Sequence, residues 1–299
     1  MALPAAIGYH DATHTDLTDG LDRPNRSELR MTWTASLPMY ALPEMDAANS
    51  AFLGALRQRL HAKGIDTAGS GLNGKHGALP ARVGPEILFT QVCGYPLFKY
   101  HRDRYRMLAT PHYGMPGCTG PSHRAFFIVR ADDHAEHLED LRRRVFGCNS
   151  LSSNSGMNLP RLSLARIAGG KPFFSSVVMT GAHVASLERL DEGSIDTCSI
   201  DNVTWGFFKK FRPVAAERYR ILSETLPSPS LPFVTSVNTA ESDAVALAEA
   251  LYEVVSDPQV AHTRGALELS ALSVPSVAAY EQLAEYELEA AELGYPEIA

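Results

Sequence analysis

The chain has 299 residues, of which 45% are apolar and 20% charged, and its formal net charge is −7. This balance is typical of globular proteins, and the length suits two lobes of ordinary size or one large α/β unit. An acidic total argues against a nucleic-acid binder, because neutralising phosphates requires a basic face. No apolar run reaches the ~20 residues that a membrane helix needs, so we expect no direct membrane insertion.

Predicted strands and helices alternate along most of the chain. Apolar runs between turn residues predict the strands, and apolar residues at helical spacing predict the helices. In chain order the strands are TWTASLPMY, EILFTQVCGYPL, RYRMLATPHYG, SHRAFFIVRAD, RVFGCN, FFSSVVMTG, SIDTCSID, RYRILSETL and FVTSVN. The helices are MDAANSAFLGALRQRLHAKG, NLPRLSLARIAGG, HVASLERLDEG, NVTWGFFKKF, ESDAVALAEALYEVVSD and SVAAYEQLAEYELEAAELG. This order predicts an α/β fold with parallel sheets covered by helices.

Two Gly/Pro-rich segments interrupt this alternation, PGCTGPS near residue 120 and ETLPSPSLP near residue 227. We interpret them as the points where the chain leaves one lobe and returns to it. Lobe 1 then comprises residues 31–121 plus 227–299, lobe 2 comprises residues 122–226, and residues 1–30 form a polar N-terminal extension. Two lobes joined by two strands make a hinge with a ligand cleft.

The first twenty residues contain neither a basic start nor a long apolar segment. The sequence therefore predicts a cytoplasmic protein, or a periplasmic one if a signal peptide has been removed. Its four cysteines form no CxxC pair, which excludes a zinc ribbon or a thioredoxin motif. We expect free thiols, although one disulfide between Cys93 and Cys118 is compatible with an oxidising compartment.

A cluster of small polar residues, SNSG, follows the predicted strand RVFGCN and precedes a predicted helix. Ser153, Asn154, Ser155 and Gly156 thus fall at a helix N-terminus, where free N–H groups and the helix dipole favour an anion. One serine would suffice as an N-cap. The additional donors indicate an anion site, and glycine allows a ligand to approach closely.

Polar side chains also follow two other strands that are predicted to be neighbours. His183 follows the strand that ends in TG, and Asp201 ends SIDTCSID. Ligands of open α/β sheets bind outside the carboxyl ends of strands, so these groups are expected to meet the SNSG turn. Tyr40 and Tyr95 end two predicted strands of lobe 1 and are expected to cover the ligand from the opposite side.

Three other patterns are interpreted as lacking a function. The P-loop-like GSGLNGK at residues 69–75 follows no strand, and Pro80 blocks a helix after it. His134 and His137 have no partners at metal-ligand spacing, so no metal is expected. A Ser155, His183 and Asp201 hydrolase triad lacks a GxSxG elbow.

Six segments follow one another in an order that is typical of one protein family: ASLPMYALPEM, TQVCGYPLF, ATPHYGMPGCTGPSHRAFFIVRAD, LEDLRRRVFGCNSLSSNSGMNLPR, VVMTGAHVASLERLDEGSIDTCSIDN and ILSETLPSPSLPFVTS. From about residue 32 to 255 the chain resembles the substrate-binding proteins of phosphate/phosphonate ABC transporters, which have the type II periplasmic-binding-protein fold. The most specific part is the S-x-S-G helix start, followed by a strand, a His and L-x-x-G-x-I-D.

The resemblance implies specific roles for the candidate residues. In this family the S-x-S turn and the following His hold the phosphonate oxygens, acidic residues bind the ligand's amino group, and aromatic residues of the first lobe close over it. Asn154 departs from the family's usual Thr, although an amide still donates. By position the resemblance assigns ligand binding to Tyr40, Tyr95, Ser153, Asn154, Ser155, His183 and Asp201.

The expected function is binding of a small anion, such as phosphate, a phosphonate or a similar oxyanion, without a cofactor. The chain would act as the solute-binding component of an ABC transporter, with a permease as partner. It would alternatively be a soluble relative of such proteins, since a set that shares ASLPMY and QxCGYP lacks signals. Two further alternatives are an enzyme on the same scaffold, acting on a phosphorylated or carboxylated metabolite, and a cytoplasmic ligand sensor.

Overall fold

The computed structural model describes residues 34–65, 67 and 87–299. The predicted extension and the GSGLNGK segment lie outside these residues. The helices are α1 (Asp46–Ala62), α2 (Gly94–Tyr100), α3 (Leu159–Ala168), α4 (His183–Asp191), α5 (Asn202–Phe211), α6 (Pro213–Ala216), α7 (Glu241–Ser256), α8 (Ala261–Ala266) and α9 (Val277–Glu292). The strands are β1 (Thr34–Ala35), β2 (Ile87–Gln91), β3 (Tyr105–Tyr113), β4 (Ser122–His123), β5 (Ala125–Arg130), β6 (Val145–Cys148), β7 (Ser176–Met179), β8 (Thr197–Asp201), β9 (Tyr219–Glu224), β10 (Ser228–Pro229), β11 (Phe233–Ser236) and β12 (Leu269–Ser273).

Ten of these strands form two five-stranded sheets, one in each lobe of a two-lobed α/β fold, and β4 pairs with β10 between them. The sheet of lobe 1 has the order β1-β2-β11-β3-β12, and α1 and α7 pack on it through leucines and Phe52. The sheet of lobe 2 has the order β7-β6-β8-β5-β9. Its two faces are covered by different helices, α3 and α9 on one side and α4 and α5 on the other. Apolar burial on both faces explains the nearly continuous hydrophobic run of β5.

The expectation of parallel sheets is wrong for part of each lobe. Strands β6, β7 and β8 are parallel, as are β1 and β2. By contrast, β5 is antiparallel to both β8 and β9, and β11 is antiparallel to both β2 and β3. The reason is the double crossing between the lobes: the chain enters lobe 2 along β5 and leaves it along β9, so these neighbours run in opposite directions.

The two crossings lie side by side at the predicted Gly/Pro-rich segments. β4 pairs antiparallel with β10, with His123 opposite Ser228 and Ser122 opposite Pro229. Both hinge strands have only two residues. Three of these four hinge residues, Ser122, His123 and Ser228, have polar side chains.

The C-terminal helix α9 packs against both lobes. It contacts α2 of lobe 1 and α3 of lobe 2. Tyr280 of α9 stacks on Phe98 at 5.5 Å and donates a hydrogen bond to the Ser230 carbonyl at 2.7 Å. Beyond the helix, the Ala299 carbonyl accepts hydrogen bonds from the backbone of Phe173 and Phe174 in lobe 2. This helix thus bridges the lobes, although the sequence places it with lobe 1.

Some local expectations differ from the structure. Tyr40 lies in a turn beyond β1 rather than at the end of a strand. Tyr95 lies in α2, a helix that the sequence pattern does not predict because Pro96 reads as a loop residue; proline is tolerated in a first helical turn. The strand β12 is also missed. Within the described residues, no helix is both long and apolar enough to cross a bilayer.

Candidate functional site

The SNSG turn joins the end of β6 to α3, as the sequence predicts. Ser153 is the N-cap residue, and its Oγ accepts a hydrogen bond from the Gly156 N–H at 3.0 Å. Residues Asn154–Asn158 form one wider π-type turn before α3 begins. All of them are buried, so the turn is a fixed part of the interior and not a surface loop.

A neighbouring side chain leaves no room for a Cβ atom at Gly156. A Cβ on Gly156 would lie 1.8 Å from Oδ1 of Asn149, the residue after β6. From the sequence we expect this glycine to let a ligand approach the turn closely. The structure shows that the chain itself fills this space.

Ser155 and His183 meet at the ends of two neighbouring strands. The Ser155 Oγ lies 2.9 Å from the His183 Nε2, and His183 is the first residue of α4. The Ser199 Oγ of β8 donates to the Ser155 carbonyl at 2.6 Å, which fixes the turn to the third strand. The polar groups at these strand ends therefore converge on one place, as predicted from their positions.

The environment of His183 favours a neutral ring. Burial lowers the pKa of His183 to about 4, and the nearby His123 acts in the same direction, while Asp201 and the Ser199 backbone act against them. A neutral imidazole can donate from one nitrogen and accept with the other. A bound anion would stabilise the protonated ring and raise this pKa.

Asp201 is buried, and each of its oxygens has a contact within the protein, Oδ1 through hydrogen bonds and Oδ2 through an ion pair. Oδ1 caps α5 by accepting the N–H groups of Val203 at 2.9 Å and Thr204 at 3.1 Å. Oδ2 lies 2.8 Å from Nδ1 of His123. Burial would raise the pKa of Asp201, but His123, His183 and the cap together hold it below its usual value. The carboxylate is thus ionised and paired with His123, so the triad order Ser155, His183, Asp201 is not formed.

Asn154 is likewise occupied by the protein. Its Nδ2 donates to the Ser228 Oγ at 2.8 Å, and its Oδ1 accepts from Nδ2 of Asn158 at 3.2 Å. The Ser228 Oγ in turn lies 2.9 Å from Nε2 of His123. Asn154 therefore ties the turn to both hinge strands.

His123 and Ser228 were missed by the sequence reasoning, although both are buried at the centre of these contacts. Each lies in a two-residue strand inside a Gly/Pro-rich segment, where no periodic pattern exists. The sequence offers one indication of their role, namely that both lie in the segments where the chain crosses between the lobes. If these two segments pair as strands, their polar side chains come close to each other.

Tyr40 belongs to lobe 1 and packs against a helix of lobe 2. Its ring packs edge-on against Tyr113 at 5.2 Å and against Phe207 of α5 at 6.2 Å. Burial, followed by the charge of Asp201, raises the pKa of Tyr40 well above its usual value, so its hydroxyl is a neutral donor. The contact with Phe207 places Tyr40 against α5, the helix that begins at the Asp201 cap.

Tyr95, by contrast, is directed towards α9. Its hydroxyl donates to Glu287 at 2.7 Å and accepts from Lys99 at 3.0 Å. Within the described residues, the Tyr95 hydroxyl makes no hydrogen bond to Ser155 or His183. Its role as a ligand-binding residue stays a prediction from the resemblance.

All four cysteines are free thiols. Cys93 accepts the N–H of Asn154 at 3.4 Å, and Cys118 accepts from Nδ2 of Asn202 at 3.1 Å. Burial raises the pKa of each of these two thiols to about 11, so both are protonated. Among the described residues no group of His, Cys, Asp and Glu has the arrangement of a metal site.

Together, the fold and the site define a two-lobed ligand-binding protein whose polar strand ends face the hinge. Residues 86–280 match the family described as the periplasmic substrate-binding protein of phosphonate ABC transporters. The chain belongs to this family, which consists of substrate-binding components of transporters rather than enzymes.

Solved structures with the same fold are distant in sequence. A binding protein component of an ABC phosphonate transporter from Pseudomonas aeruginosa is 13% identical, with a TM-score of 0.72 over 88% of each chain. PhnD1 from Prochlorococcus marinus, in complex with methylphosphonate, is 12% identical, with a TM-score of 0.68 over 86% of this chain and 97% of that one. XAC2383 from Xanthomonas citri, bound to ATP, is 17% identical, with a TM-score of 0.64 over 87% and 97%. A comparison with curated proteins gives no significant match.

Proposed function

We propose that this chain binds a small phosphonate or phosphate-type oxyanion between its lobes, at the SNSG turn and His183. The observation that carries the proposal is the convergence of Ser155 and His183, 2.9 Å apart, at the start of a buried turn. Both side chains can reorient from each other to an incoming oxyanion. The protonated form of His183 would then supply a positive charge that the free site lacks.

The donor set supports an oxyanion as the ligand. Hydroxyls, an imidazole and N–H groups at a helix start are the groups that bind phosphoryl oxygens in water-excluded sites. Tyr40 adds a neutral hydroxyl from the opposite lobe. In this proposal Asn154 and Asp201 hold the site in place instead of contacting the oxyanion, because their polar atoms already bond within the protein.

The family description also favours a periplasmic location and an ABC permease as the partner. We infer that the ligand-loaded form, with its lobes in contact across α5, is the form that a permease would recognise. The sequence-based expectation of a cytoplasmic location is the alternative, and cell fractionation distinguishes the two.

Isothermal titration calorimetry with methylphosphonate and phosphate tests this proposal. Ser155→Ala and His183→Ala should each weaken binding by about 10- to 100-fold, since a hydrogen bond to a charged group contributes ~1.5–3 kcal/mol. Ser194→Ala is the control, because its hydroxyl bonds locally to the Arg189 carbonyl on the surface of lobe 2. Unchanged affinity in both site variants would show that the oxyanion binds elsewhere.

A further inference from the structure

Asn49 is a polar residue on the buried face of α1, where the other buried residues are apolar. It lies on α1 one turn before Phe52 and Leu53, both of which are fully buried in the core of lobe 1. Its side chain is 3% exposed, and its Nδ2 has no hydrogen-bond partner among the residues that the structure describes. Burying an unpaired amide is unfavourable, so leucine would be more stable here.

The Asn49 side chain lines a cavity of about 20 Å³. This volume accommodates one small chemical group, of about the size of a water molecule. Tyr40 also lines the cavity, and its hydroxyl is likewise buried without a partner in the described part of the chain. The Gln91 amide, a third polar group in the lining, already donates to Tyr113 and to the Leu231 carbonyl. The other described residues of the lining are apolar or aromatic, and none of them is charged.

The cavity lies beside α5, the helix that begins at the Asp201 cap. Tyr40 lines the cavity and packs on Phe207 of this helix at 6.2 Å. One wall is Phe207 of α5, which comes from lobe 2. The cavity is therefore completed only when the two lobes approach each other.

None of the described residues that line the cavity is charged, so a cationic group would find no carboxylate in the lining. Asp201 is the carboxylate that acts on Tyr40, and its two oxygens are engaged by His123 and by the start of α5. Glu44 and Glu268, which belong to lobe 1, are paired with Arg212 and Lys210 of lobe 2. An ammonium group in the cavity would lose its hydration without gaining a free carboxylate.

We propose that this cavity receives the end of the ligand opposite its oxyanion, and that this end is small, uncharged and accepts hydrogen bonds. A hydroxyl or carbonyl oxygen would accept from Nδ2 of Asn49 and from the neutral Tyr40 hydroxyl. The proposal rests on the proposed function, and it narrows the ligand class to phosphonates with a short hydroxylated or carbonyl tail.

Calorimetry with three phosphonates, whose tails are apolar, hydroxylated or cationic, tests this inference. Hydroxymethylphosphonate should bind about five- to tenfold more tightly than methylphosphonate, since one net hydrogen bond is gained. 2-Aminoethylphosphonate should bind at least tenfold more weakly than methylphosphonate. Asn49→Leu should abolish the preference for the hydroxyl while leaving methylphosphonate affinity within about twofold, and Asn238→Leu, at an exposed turn, is the matched control.

Two further measurements separate the outcomes. Thermal unfolding of Asn49→Leu should show a stability at least equal to that of the unchanged protein, which excludes misfolding as a cause. An Asn49→Asp variant should gain affinity for 2-aminoethylphosphonate relative to the other two ligands. If Asn49→Leu leaves the ratio between hydroxymethylphosphonate and methylphosphonate unchanged, the cavity holds water only and the inference is overturned, while the proposed function stands. If none of the phosphonates binds, both are overturned.

Discussion

His183 is the residue of the site whose charge state ligand binding would change. In the free protein its pKa is lowered to about 4, first by burial and then by His123. The unfolded chain, with an ordinary His pKa of about 6.5, binds a proton more readily than the folded one as pH falls below that value. The contribution of His183 to stability is therefore fully present above about pH 6.5 and decreases as pH falls towards 4.

The same shift predicts proton uptake on ligand binding. An oxyanion against the ring raises the pKa of His183, so binding should take up a proton and the affinity should rise as pH falls from 7 to 5. Calorimetry in buffers of different ionisation enthalpy measures this uptake. The ligand itself also titrates in this pH range, so the same measurement on His183→Gln gives the proton uptake that is due to the ligand alone. Equal proton uptake by the two proteins would show that the ring does not titrate with binding.

The sequence located part of this site and not the rest, for a physical reason. Ser153, Ser155 and His183 follow strands that are clear from their apolar runs, and the carboxyl ends of parallel strands meet at one edge. His123 and Ser228 are 105 positions apart in the chain and pair only through the hinge. Local periodicity carries no information about such a contact, so the partners of Asn154 and Asp201 could not be predicted.

Among the secondary-structure elements, α5 of lobe 2 packs into the core of lobe 1. It begins at the Asp201 cap, and its residues Val203 and Phe207 are buried in the core of lobe 1. At its C-terminal end two ion pairs cross between the lobes, Lys210 with Glu268 at 2.7 Å and Arg212 with Glu44 at 2.8 Å. These pairs exist only when the lobes are in contact, so they stabilise the closed form.

A Lys210→Ala, Arg212→Ala double variant should therefore release ligand faster. Exposed ion pairs contribute ~0–1 kcal/mol each, so we expect a dissociation rate higher by about two- to tenfold at low salt. The difference from the unchanged protein should shrink at high salt, because ions screen such pairs. Stopped-flow ligand release measures both effects, and Arg218→Ala, which breaks a pair with Asp191 inside lobe 2, is the control. A salt-independent difference would contradict an electrostatic role.

The elements that the sequence did not predict share one feature. Helix α2 contains Pro96, and β12 is a five-residue strand that follows two short helical turns. Each is stabilised by neighbours distant in sequence: α2 packs on α9, and β12 pairs with β3. The tertiary contacts therefore override weak local propensities, while long amphipathic helices such as α1 and α9 were evident from their spacing.

Across the whole molecule, a buried chain of hydrogen bonds, which ends in the ion pair of His123 with Asp201, links the α9 side of lobe 2 to the ligand site through both hinge strands. It begins at Arg161, which donates to Oδ1 of Asn158 at 2.6 Å and to the Pro296 carbonyl at 2.9 Å. From Asn158 it continues through the side chains of Asn154, Ser228 and His123 to Asp201. All six side chains are at most 3% exposed, so each depends on the next for its polar partners.

Because His123 pairs with Asp201, we expect the loss of His123 to destabilise the protein by an amount that depends on pH. His123→Leu leaves the buried Asp201 carboxylate without a positive or donating partner on Oδ2, which should cost ~3–5 kcal/mol of unfolding free energy at pH 7. Without His123, burial raises the pKa of Asp201 in the folded state above its value in the unfolded chain. The variant should therefore lose stability as pH rises from about 4, whereas the unchanged protein retains the contribution of its lowered Asp201 pKa.

Urea unfolding at pH 4.5 and pH 7 measures this difference, which should be larger at pH 7 because the protonated Asp201 tolerates burial better than the carboxylate does. An Asp201→Asn change added to His123→Leu should recover part of the loss at pH 7, since an asparagine oxygen can still cap α5. Ser228→Ala, which removes a neutral partner, should cost only ~1–2 kcal/mol and show no such pH dependence. A loss of equal size at both pH values in His123→Leu would mean that packing, and not the charge of Asp201, is what His123 supports.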